Sequence, residues 1–235
     1  MIAPVLLGIF SFLFFLLYQV TGIYAGDSGD LVTAACTFGV PHPPGYPLYT
    51  LLGKLLCSLS IFTPAFRVTF LSSIPHALVI VFVFLTILKL TKHTLSALFG
   101  SLVLLGNYLF FLYSVTPEVF ALFDLFVVVI AYISIHFLEK PTRRLYYCLV
   151  FVFSLSLSHH HVILFIVPSL LFVLWVKKDT IIKTYGVLTL QALEDATTTT
   201  NWTGTWGTTT STFVSASQSF TDTPSGNYAN NANRT

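Results

Sequence analysis

Two carboxylates three residues apart, Asp27 and Asp30, stand between glycines in the segment GDSGD, directly after 26 residues without a single charge. That spacing puts both on one side of a helical turn, and glycine lets the backbone approach a ligand closely or take a positive φ. Such carboxylates, partly withdrawn from water, can act as a general base or hold a metal or a cationic transition state. The same spacing fits a structural role, with Asp27 or Ser28 capping a helix that begins DLVTAA. The segment PHPPGYP, residues 41–47, follows and packs four prolines into seven positions. Proline fixes φ and removes backbone donors, so this piece is predicted to be stiff and extended. It serves either to hold His42 and Tyr46 at a site or as a rigid connector. Lys54 and Arg67 are the nearest cations downstream, and both can meet a phosphate.

Further along, Glu118 follows Pro117 and is either a site group or a negative charge at a helix N-terminus. Asp124 and His76 lie inside apolar stretches and read as structural groups facing a bundle interior. His159, His160 and His161 are consecutive. Successive helix positions point about 100° apart, so a regular helix cannot bring all three to one ion, and no metal site is assigned. Cys36, Cys57 and Cys148 are an odd count without metal-ligand spacing, and they read as small buried thiols rather than a Cys36–Cys57 disulfide.

The elements that must position these residues are apolar. Hydrophobic residues make up 55% of the 235 and charged residues only 9%, against about 25% charged in soluble domains. A net charge of +2 gives no case for nucleic acid. The opening 26 residues are long enough to span a hydrocarbon core of about 30 Å, and they lack the basic start of a cleaved signal peptide. Residues 67–89, 93–118 and 118–139 each enclose a further span between charged groups. Residues 145–176 are too long for one helix at 1.5 Å per residue. They read as two short spans meeting at the histidines, or as one steeply tilted helix. The expected architecture is therefore an all-α polytopic membrane protein of about six transmembrane helices with a helical first outer loop. The basic residues Lys89, Lys92 and His93, then Lys140, Arg143 and Arg144, then Lys177, Lys178 and Lys183 all fall on the cytoplasmic side of that scheme. Residues 24–64, the 114–118 turn and the histidines fall outside. Residues 46–62, with Tyr49 and Lys54 among apolar positions, read as a helix lying in the interface.

The segment GDSGDLVTAACTFGVPHPPGYPLYTLLGKL, with SVTPEVFAL at 114–122 and SLSLSHHHVILFIVPSLL at 154–171, resembles a multi-pass family related to the protein O-mannosyltransferases. The resemblance runs over about residues 2–176. It implies a truncated GT-C-type glycosyltransferase that moves a sugar, mannose or a similar hexose, from a polyprenyl-phosphate carrier to an acceptor hydroxyl on the outer or luminal side. Asp27 stands where the family's aspartate stands, and Asp30 stands where a glutamate is usual. The resemblance implies Asp27 and Asp30 as catalytic groups. His42, Tyr46, Lys54, Arg67, Glu118, His159 and His160 are then the groups for substrate or phosphate. The implied partners are membrane lipid, the lipid-linked donor and a protein or glycan acceptor; no cofactor is expected beyond that donor, with a divalent metal left open. The location would be a multi-pass membrane protein of the plasma membrane in a bacterium or of the endoplasmic reticulum in a eukaryote. A non-catalytic membrane scaffold and a transporter are the competing classes.

Domain 1–184 is thus expected to carry the transferase-like part. Residues 185–235, rich in Thr, Ser, Asn and Gly, are expected to be a low-complexity tail, disordered or of β type. That tail resembles the start of a secreted bacterial β-sandwich module, which suggests a join near residues 185–196. Asn201 and Asn233 each begin a glycosylation triplet.

Overall fold

The computed structural model describes residues 2–181, 209–212 and 221–224. The chain divides into two compact units, Met1–Val176 and Lys177–Thr235. The second contains a short helix α10 (Lys178–Ile181) and an antiparallel pair, β1 (Thr209–Thr212) with β2 (Thr221–Pro224), in which Thr209 faces Pro224. The expected join at 185–196, Lys183 and both glycosylation triplets lie outside the described residues.

The first unit is all-helical. Its helices are α1 (Ile2–Tyr18), α2 (Ser28–Thr37), α3 (Pro47–Cys57), α4 (Pro64–Thr91), α5 (Thr94–Leu105), α6 (Tyr108–Val115), α7 (Phe120–Glu139), α8 (Arg143–Leu157) and α9 (Val167–Val176), with a 3-10 turn at His161–Ile166. Helix α4 is the spine. Pro64 opens it, where a missing N–H costs nothing, and the Thr63 hydroxyl accepts from the Phe66 N–H. Helices α1, α5 and α6 bury Leu7, Phe15, Ala97 and Phe110 against Ala77, Ile80 and Phe84 of α4. Leu122, Phe126 and Ile130 of α7 pack with Leu149 of α8 and Ile163 of the 3-10 turn. The α2–α3 pair closes over the first turns of α4 through Leu31, Ala35, Tyr49, Val68 and Leu71.

Helices α4 and α7 are each long and apolar enough to cross a membrane. Helices α5 and α6 make a third crossing if their pair, bent by 67°, is one span. The bend departs from the straight span expected over 93–118. Gly106 ends α5 and the Asn107 side chain caps α6 by accepting from the Phe110 N–H, a local bond that competes with helix continuation. Helix α1 and the stretch His161–Val176 are apolar but shorter than a full crossing. The stretch after Arg143 breaks at Ser158–His160 into two helical segments rather than running as one helix. Large apolar side chains along α1, such as Val5, Ile9 and Leu13, stay exposed, as lipid allows and water does not.

Inside the bundle His76 anchors a set of paired polar groups. His76 of α4 meets Ser114 Oγ of α6 at 2.7 Å and Asp124 Oδ2 of α7 at 3.3 Å, which gives both residues the structural role expected of them. The basic and acidic ends of the bundle are opposite. Lys89 near the end of α4 pairs with Glu139 at the end of α7, while Ser72 near the start of α4 bonds the backbone of Glu118 just before α7.

The expectation of buried free thiols is corrected at all three positions: Cys36 and Cys57 form a disulfide with Cα atoms 5.2 Å apart, and Cys148 is exposed. The reason is packing. Gly53 lets α3 approach α2 so closely that a Cβ there would lie 2.6 Å from the Cβ of Ala35, which draws Cys36 and Cys57 within bonding range. Gly53→Ala should therefore overpack the α2–α3 contact and cost about 1–3 kcal/mol. Gly22→Ala, where nothing lies within 4 Å, should cost less than about 0.5 kcal/mol. Melting temperatures of the two variants in one detergent check the contrast.

Candidate functional site

The loop between α1 and α4 brings its polar residues to one place. Asp27 precedes α2 but makes no capping bond with its side chain, so the capping role open to it is not taken up. Its carboxylate is 60% exposed and lies 3.5 Å from Nε2 of His42. Asp30, in the first turn of α2, accepts from the His42 backbone N–H at 2.8 Å and meets His42 Nδ1 at 2.7 Å, both at Oδ2. These two bonds, the backbone one first, hold the Asp30 carboxyl below the usual carboxylate range.

The PHPPGYP segment is not the extended arm its prolines predict. It closes a turn in which the Gly45 N–H donates to the His42 carbonyl at 3.0 Å, with a cis Pro43–Pro44 bond at its centre and Gly45 at φ 94°. Type VI turns place a cis proline at that position. Tyr46 then takes a left-handed φ of 40° as the residue before α3. Its hydroxyl lies 3.4 Å from His42 Nε2 and its ring 5.3 Å from the ring of His160. Burial, with the charges of Asp27 and Glu118, raises the Tyr46 phenol, so it stays protonated. The Leu48 N–H donates to the Ser158 carbonyl at 3.0 Å and so ties this turn to the end of α8.

Glu118 reaches the same place from the α6–α7 loop. A Cβ on Gly26 would lie 3.8 Å from its Oε1. Burial first, then the charge of Asp27, pushes its carboxyl up to about 7, against the opposing pull of His42. His159 is buried, and its Nε2 donates to the Val119 carbonyl at 2.9 Å. Burial pushes its imidazole down to about 4, so it is neutral at pH 7. His160 accepts the Val162 N–H at Nδ1 and opens the 3-10 turn. Its imidazole is lowered by burial and by His161.

Asp27, Asp30, His42, Tyr46, Glu118, His159 and His160 are thus joined through direct or neighbouring contacts. Lys54 and Arg67 are used elsewhere. The Lys54 ammonium donates to the Cys36 carbonyl at 2.8 Å. The Arg67 guanidinium holds the carbonyls of Cys57 and Leu59 beyond the end of α3. Both cations neutralise helix-end carbonyls, a use that charge alone does not disclose. Ser72 and Tyr49 are site-supporting residues that the sequence did not single out. Tyr49 is fully buried with its ring 6.3 Å from that of His159. The only signal for Ser72 was a serine pair inside an apolar span. Among the described residues no group of three or more His, Cys, Asp or Glu is arranged to hold a metal ion.

A family model described as protein O-mannosyl-transferase TMEM260 N-terminal domain matches residues 27–183. The mouse protein O-mannosyl-transferase TMEM260 is 35% identical over 163 residues, which is 66% of this chain and 23% of the mouse protein. The Dictyostelium discoideum protein of the same name is 25% identical over 179 residues, 69% of this chain and 22% of that protein. The matched chain therefore spans less than a quarter of either relative. No solved structure matches.

The buried acid gives a pH test. Glu118 binds its proton more tightly folded, near pH 7, than unfolded, near 4.5. The folded state thus holds more protons between these values, so this group's contribution to stability falls as pH rises from about 4.5 to about 7 and is level above. Glu118→Gln should flatten that window and leave the variant at least as stable as the parent at pH 8. Denaturation midpoints in detergent from pH 4.5 to 8 read it; a variant with an unchanged pH slope removes Glu118 as the cause.

Proposed function

Because the chain belongs to the protein O-mannosyl-transferase TMEM260 N-terminal domain family, we propose that it carries the acid–base site of a GT-C-type membrane glycosyltransferase. The reaction is transfer of mannose or a similar hexose from a polyprenyl-phosphate carrier to an acceptor hydroxyl on the outer or luminal side. The observation that carries this reading is the joining of Asp27, Asp30, His42 and Glu118 at one end of an apolar bundle. A lipid-linked sugar and a water-borne acceptor can meet at such an end. Asp27 is the most exposed of these carboxylates, keeps its side chain out of helix capping, and is the group to take the acceptor proton. Glu118, about half protonated at pH 7, reduces the negative charge that a phosphate would meet. His160 and Tyr46 supply polar edges beside the donor. The chain covers 23% and 22% of the two relatives, so the activity of the whole protein is itself part of this proposal.

The proposed topology has six spans, with this site outside and the Lys89–Glu139 end in the cytoplasm. The basic residues Lys89, Lys92 and Lys140 gathered at that end favour it. The Cys36–Cys57 disulfide favours it independently, since such bonds persist in oxidising compartments.

Two experiments bear on this. Residues 27–183 grafted into the matching segment of the mouse relative should support transfer from a polyprenyl-phosphate sugar. Asp27→Asn in that graft should lower the rate by about 10²–10⁴ with membrane insertion unchanged. A rate within a few-fold of the parent graft takes the base role from Asp27. For topology, Lys92→Cys in a Cys148→Ser background should react with an impermeant thiol reagent only after the membrane is opened. Labelling in intact cells overturns the six-span scheme.

A further inference from the structure

The geometry around His42 assigns a second step to the proton that Asp27 takes, and this inference rests on the transfer reaction proposed above. We propose that His42 is the proton acceptor behind Asp27, with Asp30 holding its ring in the tautomer that leaves Nε2 open. Oδ2 of Asp30 faces both the backbone N–H of His42, at 2.8 Å, and Nδ1, at 2.7 Å. A carboxylate so placed accepts a proton-bearing Nδ1, which fixes the lone pair on Nε2. Two groups face that nitrogen: the Tyr46 hydroxyl at 3.4 Å and Asp27 Oδ2 at 3.5 Å. At rest the Tyr46 hydroxyl donates to it. Once Asp27 has become a carboxylic acid, Nε2, 3.5 Å from its Oδ2, can accept that proton. Separations of this size in a substrate-free site tighten when the reacting groups are in place.

The step balances as follows. The acceptor O–H bond breaks as its oxygen bonds to the anomeric carbon. The bond from that carbon to the phosphate oxygen breaks, and its electron pair leaves on the lipid phosphate. The proton passes to Asp27 and then to Nε2 of His42, giving an imidazolium whose Nδ1–H is opposite the Asp30 carboxylate. After the lipid phosphate leaves, the proton goes to water. The arrangement follows the nucleophile–base–orienter pattern, in which a third group sets the tautomer of the second. It differs from a phosphate-binding role for His42, in which the ring would meet the donor and Asp30 would weaken that attraction.

The test has one arm that needs no turnover. Imidazole ¹⁵N resonances of the full chain in detergent should show the His42 proton on Nδ1, and Asp30→Asn should mix the two tautomers. Asp27→Asn should move the Nε2 resonance and leave Nδ1 in place. A parent ring protonated on Nε2 alone overturns the proposal. In the active graft, His42→Gln should lower kcat at least tenfold with the donor KM within twofold. Asp30→Asn should act in the same direction, and Asp30→Glu should restore kcat to within a few-fold. A raised donor KM with kcat unchanged in His42→Gln makes His42 a donor ligand and also overturns it. Retained transfer in Asp27→Asn is a different failure, since it removes the base while the tautomer result stands.

Discussion

One carboxylate oxygen, Oδ2 of Asp30, meets two nitrogens of a residue twelve positions later, the backbone and Nδ1 nitrogens of His42. The arrangement of the α2–α3 end of the bundle hangs on that double contact. A loop of twelve residues costs entropy to close, and the turn at His42–Gly45 has few donors of its own because three of its neighbours are prolines. Asp30 ties the turn down from outside by accepting from the backbone N–H that His42 still offers. With His42 fixed against α2, Tyr46 falls between His42 and His160, and Leu48 can bond Ser158 at the end of α8. The disulfide and the Ala35–Gly53 contact hold the other end of the α2–α3 pair. Polar recognition fixes one end of this small lid and covalent closure the other.

The charges at the site follow from where each acid can find water. Asp27 and Asp30 are about half exposed, and the bonds to His42 hold the Asp30 carboxyl below the usual carboxylate range. Glu118 has the same side chain chemistry as a surface glutamate but is 8% exposed. Its desolvation, added to the nearby Asp27 charge, makes the neutral form competitive at pH 7. Two carboxylates whose surroundings push their proton affinities apart are a recognised basis for dividing acid and base roles. Here the division comes from burial rather than residue type, so it cannot be read from GDSGD or TPEV alone.

What the sequence made legible was whatever composition and breaks dictate. The apolar spans showed in long uncharged runs, and the opposite ends of the bundle showed in the placement of Lys89, Lys140 and Glu118. The break at His159 showed in a stretch too long for one bilayer. Asp27, Asp30, His42 and Tyr46 could be grouped because they share one loop. What stayed hidden depended on contacts between elements. Cys36 and Cys57 are thiols in apolar surroundings until the absence of a side chain at Gly53 is known to bring two helices together. Lys54 and Arg67 looked available for phosphate until the carbonyls they cap were visible. The bend between α5 and α6 turns on Asn107, a single polar residue inside an otherwise apolar run, where a capping bond outweighed hydropathy.

The spine helix explains why Glu118 stays buried at all. Thr69, Ser72, Ser73 and His76 recur at three- and four-residue spacing, so they form one polar stripe along α4. Ser72 bonds both the N–H and the carbonyl of Glu118, while His76, one turn further, holds Ser114 before that loop and Asp124 after it. The loop carrying Glu118 is therefore clasped on both sides by the same helix face. Ser72, His76 and Ser114 in that clasp are fully buried, where an unpaired polar atom is costly and a paired one is hard to replace. His76 has both ring nitrogens engaged, which argues for anchoring rather than for a path through the bundle. An acid kept out of water needs a backbone that does not carry it there, and the stripe on α4 provides that restraint from inside the bundle.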